Sequence, residues 1–263
     1  MPEKYTMDTS VPNAGRIYDY VLGGSHNFEA DRQAAQYMMA LVPSTRKWVR
    51  MLRMFMYTSI QQLSQEGFDQ FLDFASGLPT VDHIHQTLPE SKVVYTDNDP
   101  AIVNYALEII GDNDRVRYVE ADIRDVDAII NSPLVEELFG DDRQVAIGFN
   151  AVTNFLSHEE LQHILQGLYN WAAPGSKLYA TFETKDPATM TPNMQQFVDM
   201  FEQVGSPYYF LTLAECKRLV KPWEPDEKGF QPLAEWLGIE DQMTEADSEG
   251  VGLQFYGVHL VKK

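Results

Sequence analysis

Cysteine is almost absent from the 263 residues: Cys216 stands alone, which excludes an internal disulfide and a cysteine cluster for zinc. Positive charge is scarce too. Lys and Arg total 20 against 39 Asp and Glu, a formal net charge of −19. Duplex DNA and structured RNA are bound through Lys/Arg-rich surface, so nucleic acid is not expected as a partner. The one local basic group, Arg46, Lys47, Arg50 and Arg53, reads as the solvated face of a helix. No apolar run approaches the ~20 residues of a membrane-spanning helix, and the stretch from Met1 to Arg16 lacks the basic-then-apolar order of a signal peptide. The expectation is a soluble, cytoplasmic protein with no membrane partner. Metal spacing is missing as well. The imidazoles of His83 and His85 diverge on a helix, and His158 to His163 holds one residue too many for H-E-x-x-H. The fingerprints G-x-G-x-x-G and G-x-S-x-G are also lacking.

What is present is a globular composition, 44% hydrophobic and 22% charged, which excludes a wholly disordered chain. Pro12 to Asp31 is dense in Gly, Asn, Tyr and Asp without clean periodicity, and Gly23-Gly24 marks a turn or close backbone approach. Helical spacing begins near Asp31 and stops at Pro43. A second long helix runs from Thr45 to about Gln65, burying Trp48, Met51, Leu52, Phe55, Met56 and Ile60.

Strands then alternate with helices. Strands are expected at Gln70 to Ala75, Lys92 to Thr96, Arg115 to Val119, Gln144 to Phe149 and Lys177 to Glu183. Helices are expected at Thr80 to Leu88, at Pro100 to Ile110, and at Glu159 to Trp171 behind the capping box Ser157-x-x-Glu160. Such alternation means βαβ units and a parallel sheet. Further on, Met194 to Val204 and Thr212 to Val220 read as helices. Phe230 to Leu237 and Leu253 to Val261 read as two strands able to pair antiparallel, with Glu240 to Glu249 as a solvated acidic loop.

Ligands of open α/β sheets lie beyond the carboxyl ends of the strands. Four consecutive strand ends carry candidates. The loop Asp73-Phe74-Ala75-Ser76-Gly77 has small residues that let a ligand approach, next to an expected helix N-terminus; a tight turn would look the same. Asp97, about twenty residues on, suits the two hydroxyls of a ribose, or caps the following helix; Asp99, just before Pro100, fits the capping role better. Asp122 and Ile123 offer an acceptor and a backbone donor to an adenine. Asn150 lies where it would line the floor of the site.

This ordered set resembles the class I S-adenosylmethionine-dependent methyltransferases, which implies an α/β Rossmann-like sheet, mostly parallel, with an antiparallel C-terminal hairpin. Pro12 to Arg32 is similar to the signature of a bacterial S-adenosyl methyltransferase family formerly catalogued as a domain of unknown function. That family joins R-x-Y-D-x-x-L-G-G-x-x-N-F-x-x-D-R to F-L-D-x-x-S-G-L-P-T and V-x-Y-x-D-N-D-P, matched here at Phe71 to Thr80 and Val93 to Pro100. Many members have glycine where this chain has Ala75, whose methyl would narrow the methionine pocket. The resemblance implies S-adenosyl-L-methionine as cofactor, with Asp73, Ala75, Ser76 and Gly77 flanking its methionine portion. Asp97 and Asn98 would hold the ribose, Asp122 and Ile123 the adenine, and Asn150 the floor near the sulfonium. Residues 1–66 form an α-helical N-terminal segment over the site, bringing Arg16, Tyr18, Gly24 and Asn27 to the methionine end; residues 67–263 form the Rossmann-like domain, a single structural unit. Arg16 suits a carboxylate, or serves as a surface or capping arginine.

The implied reaction is in-line methyl transfer to a small-molecule acceptor. His26 is the candidate base and Tyr18, with Tyr20, the candidate for orienting the acceptor, unless these are packing residues. N-P-P-[YF] after the fourth strand is replaced by Asn150-Ala151-Val152-Thr153, which disfavours DNA or glutamine amino groups as acceptors. A cofactor-binding sensor or scaffold without turnover is the first alternative, and a nicotinamide-dependent oxidoreductase the second.

Overall fold

The strands expected from the alternating pattern lie side by side in one sheet. The computed structural model describes residues 8–80, 82–185, 190–203, 206–244, 247 and 253–263. Positions 1–7, 81, 186–189, 204–205, 245–246 and 248–252 lie outside the described residues, among them Val81 of the expected helix Thr80 to Leu88, the end of the expected helix at Val204 and most of the second half of the acidic loop.

Strands β1 (Gln70–Asp73), β2 (Lys92–Asp97), β3 (Val116–Glu120), β4 (Ala146–Phe149) and β5 (Lys177–Lys185) are parallel, in the order β3-β2-β1-β4-β5. The short pairs β6 (Glu224–Pro225) and β7 (Gln231–Pro232) and the long β8 (Leu253–Val261) complete the sheet. β8 runs antiparallel beside β5 from Lys177↔Val261 to Lys185↔Leu253, and both short strands pair with β8. Strand order reverses between β1 and β4, which makes the crevice beyond their carboxyl ends the switch point of the sheet.

Helices cover both faces. Under one face Leu72, Val94, Ile147, Leu178, Ala180 and Phe182 pack against α6 (Val126–Ile130), α7 (Pro133–Phe139), α8 (His158–Trp171) and α10 (Leu213–Leu219). Cys216 is buried there, its thiol pushed up to about 12 by burial. On the other face Phe71, Val93, Tyr95 and Tyr179 meet α3 (Thr45–Gln65), α5 (Pro100–Ile110) and α9 (Pro192–Gln203). Caps start the helices where their chemistry predicts. Ser157 and Glu160 form the reciprocal capping box of α8, Thr212 and Glu215 that of α10, and Asp99 accepts from Ala101 N at 2.8 Å with Pro100 as the first residue of α5. Among the described residues no helix is long and apolar enough to cross a membrane.

Four expectations are corrected. Pro12 to Asp31 contains a helix, α1 (Ala14–Leu22), followed by α2 (Glu29–Leu41); α1 buries Arg16 and Asp19 beside Val21 and spans only nine residues, so its short Ala14, Ile17, Val21 period is broken up by polar residues that face inward. The expected helix from Thr80 to Leu88 shrinks to α4 (Ile84–Thr87), because Pro79 and a left-handed Asp82 (φ +52°) keep the chain extended before it. No helix N-terminus therefore meets the loop after β1. Of the expected strand Phe230 to Leu237 only β7 (Gln231–Pro232) forms, pairing antiparallel with β8 as expected, and the rest is helix α11 (Leu233–Leu237), which turns Leu233 and Trp236 inward. The partner of β8 is thus chiefly β5. Finally, Arg53 is buried within α3 rather than solvated, and Lys47 pairs with Asp247 at 2.5 Å.

Candidate cofactor site at the strand switch point

The chain leaves β1 through a loop lashed to β2. Ala75 N donates to Thr96 Oγ1 (3.3 Å), Ser76 N to Thr96 O (2.7 Å), Ser76 Oγ to Asp73 O (2.8 Å) and Gly77 N to Asp97 Oδ2 (3.1 Å). Tyr118 on β3 donates its hydroxyl to Gly77 O at 2.7 Å. Ala75 sits at φ +50°, and Ala151, just after β4, at φ +58°. A left-handed conformation costs an L-residue about 1–2 kcal/mol, and here two such residues flank the switch point. Strain of this kind concentrates at ligand clamps.

Asp97 has a different task from Asp99. Its Oδ1 accepts from Asp99 N (3.0 Å) and its Oδ2 from Gly77 N, while Asp99 caps α5 and takes the Asn13 amide on its other oxygen. Burial raises the Asp97 carboxyl to about 6 against the pull of these donors. Asn98 beside it is exposed.

Asp73, at the end of β1, is buried, and burial likewise raises it to about 6, opposed by its bonds with Ser76 and Tyr179 and by the Arg53 charge. Tyr179 on β5 donates to Asp73 Oδ1 at 3.1 Å, and this pair passes directly over Gly148 of β4. A Cβ on Gly148 would overlap both Asp73 Oδ1 and the Tyr179 hydroxyl, so the strand needs a glycine there. Asn150 bridges elements instead of standing free: its amide donates to Leu52 O of α3 (3.2 Å) and accepts from Thr181 Oγ1 (3.1 Å). Asp122 receives Arg124 N on one oxygen and the Arg124 guanidinium on the other, both at 2.9 Å, while Ile123 packs on the core.

Helix α1 and the loop after it lie over these strand ends. Asp19 is the hub of that block. Its Oδ2 accepts from His26 N (2.8 Å) and Asn27 Nδ2 (2.9 Å), and its Oδ1 from Thr80 Oγ1 of the β1 loop (2.7 Å). A Cβ on Gly24 would overlap the Asp19 carboxylate. The Asn13–Asp99 bond is a second tie to the sheet, and a Cβ on Gly77 would stand 4.0 Å from Gly15 Cα.

Not every candidate meets at one point. Arg16 spends its fork inside the block, with Nε on Asp31 (2.8 Å), Nη2 on Val11 O (2.6 Å) and its plane over the Phe28 ring (5.4 Å). Asn27 is occupied by Asp19, Gly24 O and Arg32. His26 packs on Tyr105 of α5 at 5.5 Å, and its buried Nδ1 has no hydrogen-bond partner. Tyr18 lies on the α3 side, its hydroxyl 3.4 Å from Val49 O; burial raises its pKa. Tyr20 only accepts from Gln36 (3.2 Å).

Sequence reasoning passed over Tyr179 and Glu183, read Arg53 as solvated and considered His83 only as a metal ligand. Arg53 stacks over Tyr18 at 5.5 Å. His83 is 1% exposed, and burial holds it neutral. Glu183 of β5 is buried and raised to about 8 by burial. A signal existed for Arg53, which stands four residues after Val49 and three before Met56, on the apolar stripe of α3. Among the described residues no group of three or more His, Cys, Asp or Glu is arranged to hold a metal.

Solved structures share this architecture. A Thermobifida fusca YX protein assigned as a methyltransferase is 28% identical, with 97% of each chain covered and a TM-score of 0.81. A DUF574 family protein from Streptomyces avermitilis MA-4680 is 26% identical, with 97% of this chain and 99% of that one covered and a TM-score of 0.81. Geranyl diphosphate C-methyltransferase from Streptomyces coelicolor A3(2), solved with S-adenosyl-L-homocysteine, shares the fold at 13% identity, a TM-score of 0.52 and coverage of 78% and 80%. No curated protein matches. The family model described as S-adenosyl methyltransferase matches residues 2–259. The chain therefore belongs to the S-adenosyl methyltransferase family: it is a methyltransferase whose cofactor is S-adenosyl-L-methionine.

Proposed function

We propose that this methyltransferase acts on a small-molecule acceptor by in-line transfer, with the cofactor lying across the ends of β1 to β4. The observation that carries the reading is Asp97, tied to the Gly77 amide at the switch point while Asp99 takes over the capping of α5. The donor set fits the group. Asp97 retains acceptor capacity for a ribose diol, the left-handed Ala75 brings backbone to the surface of the crevice, and Asp73 offers a buried carboxylate to an ammonium. Asp122 and Ile123 would flank the adenine. In the bound state the cofactor supplies a methyl group already activated by its sulfonium.

The chain's own part is alignment and exclusion of water. Residues 1–66 act as the cap over the domain of 67–263: α3 anchors the segment on the sheet, and α1 is clamped across the crevice by Thr80–Asp19 and Asn13–Asp99. A roof tied down at two points favours a small acceptor over a polymer, and the −19 net charge disfavours nucleic acid. Tyr18, on the α3 side, orients the acceptor, and where the acceptor carries a proton the base is His26, whose Nδ1 has no partner among the described residues. Arg16, Gly24 and Asn27 hold the cap together through Asp31 and Asp19.

The test is transfer from methyl-labelled S-adenosyl-L-methionine to a panel of small hydroxyl, amine and carboxyl compounds. The expected result is S-adenosylhomocysteine formed only with one class of acceptor. Cofactor binding without product from any compound would contradict the small-acceptor reading and return the sensor alternative.

A further inference from the structure

Arg53 is out of place. A guanidinium keeps its charge at any pH a protein tolerates, and burying it without an anion is costly. Arg53 is 9% exposed, yet among the described residues no carboxylate forms an ion pair with it. Among the described residues its buried Nε has no hydrogen-bond partner, and its Nη1 meets the Met56 sulfur at 3.7 Å. The guanidinium lies over the Tyr18 ring at 5.5 Å, and its charge and a hydrogen bond oppose the rise that burial imposes on the Tyr18 hydroxyl.

The contrast with Arg16 is instructive. Both arginines are buried, but Arg16 has its charge paired by Asp31 and its Nη2 taken by Val11 O inside the N-terminal block, whereas Arg53 has no such counter-ion among the described residues. Arg53 stands within electrostatic reach of the Asp73 carboxylate without touching it. A buried cation and a buried anion held apart near the strand ends, where Leu52 O of α3 accepts from Asn150, complement the two charges of an α-amino acid, whose carboxylate and ammonium diverge from one carbon. Tyr179 keeps Asp73 from swinging across to Arg53 by holding Oδ1 at 3.1 Å. His83 feels the same Arg53 charge, and burial pushes its pKa well below the usual histidine value against a hydrogen bond with the Leu78 backbone, so it adds no charge.

We propose that Arg53, and not Arg16, is the carboxylate-binding residue for the amino-acid end of the cofactor, with Asp73 receiving the ammonium. The proposal rests on the cofactor placement argued above and adds to it the residue that reads the amino acid. It also explains why an arginine occupies the apolar stripe of α3: the stripe passes over the crevice at that turn.

The test compares S-adenosylhomocysteine with 5′-methylthioadenosine, which keeps the nucleoside and lacks the amino acid. Calorimetric Kd values are measured for wild type, Arg53→Met and Arg53→Lys, beside the unfolding midpoint of each unliganded protein. Arg53→Met is expected to weaken S-adenosylhomocysteine on the order of 30-fold or more and to leave 5′-methylthioadenosine within about two-fold. Arg53→Lys falls between, because it keeps charge without the fork. The unliganded Arg53→Met protein unfolds no earlier than wild type, since an unpaired buried charge has been removed. Equal weakening of both ligands, unchanged S-adenosylhomocysteine binding, or an Arg53→Met protein that fails to fold would each overturn the assignment. Folded wild type that binds neither ligand would instead refute the underlying cofactor placement.

Discussion

Asp73→Asn tests whether the buried carboxylate at the switch point is maintained at a cost to the fold. Its pKa rises from 3.8 to about 6, with burial as the main cause. At about 1.4 kcal/mol per pKa unit, that shift corresponds to about 3 kcal/mol. The folded form binds the proton more tightly than the unfolded one. The group's favourable contribution is therefore complete below about pH 4, and it is lost as pH rises through 6. Asparagine keeps an acceptor for the Tyr179 hydroxyl and carries no charge; the weaker neutral hydrogen bond gives back about 0.5–1 kcal/mol. Asp73→Asn should thus match wild type near pH 4 and exceed it by about 2 kcal/mol near pH 7.5. Urea unfolding across that range reads this as a midpoint difference growing to about 0.7 M, for an m-value near 3 kcal/mol/M. The same variant should bind S-adenosylhomocysteine more weakly, because the ammonium has lost its charged partner. A stability difference that is independent of pH, or a variant less stable than wild type near pH 7.5, would refute the reasoning.

Two further outcomes are expected. Gly24→Ala drives a methyl into the Asp19 carboxylate that also holds Thr80, His26 and Asn27. It should cost about 1–3 kcal/mol, and amide exchange should accelerate through residues 14–31 but not in β1 to β5. Glu183, raised to about 8 by burial, makes stability fall as pH climbs from about 4.5 to 8. Glu183→Gln should flatten that slope in thermal unfolding scans; a slope unchanged from wild type would place the carboxyl in contact with water.

Much of the architecture was legible because local chemistry and tertiary structure agree. The Asp99-Pro100 start of α5, the Ser157 box of α8 and the apolar runs of β1 to β5 each announce themselves within a few residues. Where burial is polar, the pattern fails. α1 turns Arg16 and Asp19 inward among only three helically spaced apolar residues, Ala14, Ile17 and Val21, too few to stand out from the surrounding Gly, Asn and Asp, and Asp19, the hub of the cap, is a bare aspartate in sequence. α11 is too short for its two inward residues to separate helix from strand, and β6 and β7 pair over two residues each.

The site divides along the same line. Asp97, Asp73 and the loop Ala75 to Gly77 lie at strand ends, where position alone put them. Arg16 and Arg53 are both buried; a composition-based reading sends arginines to water or to ligands and cannot see that Asp31 pairs with one of them or that α3 folds the other inward. Asp122 and Asn150 stand at the anticipated strand ends, but Arg124, Leu52 O and Thr181 already engage them. Only a folded chain discloses such prior commitments.

The measurement closest to the central claim is calorimetric titration of S-adenosyl-L-methionine and S-adenosylhomocysteine into wild type and Asp97→Ala. Loss of a charged acceptor for the ribose diol should weaken both ligands by about 1.5–3 kcal/mol, roughly 10- to 150-fold. Saturable wild-type binding that weakens to this extent in Asp97→Ala is the predicted result. Equal affinity in the two proteins would contradict the placement of the cofactor over Asp97.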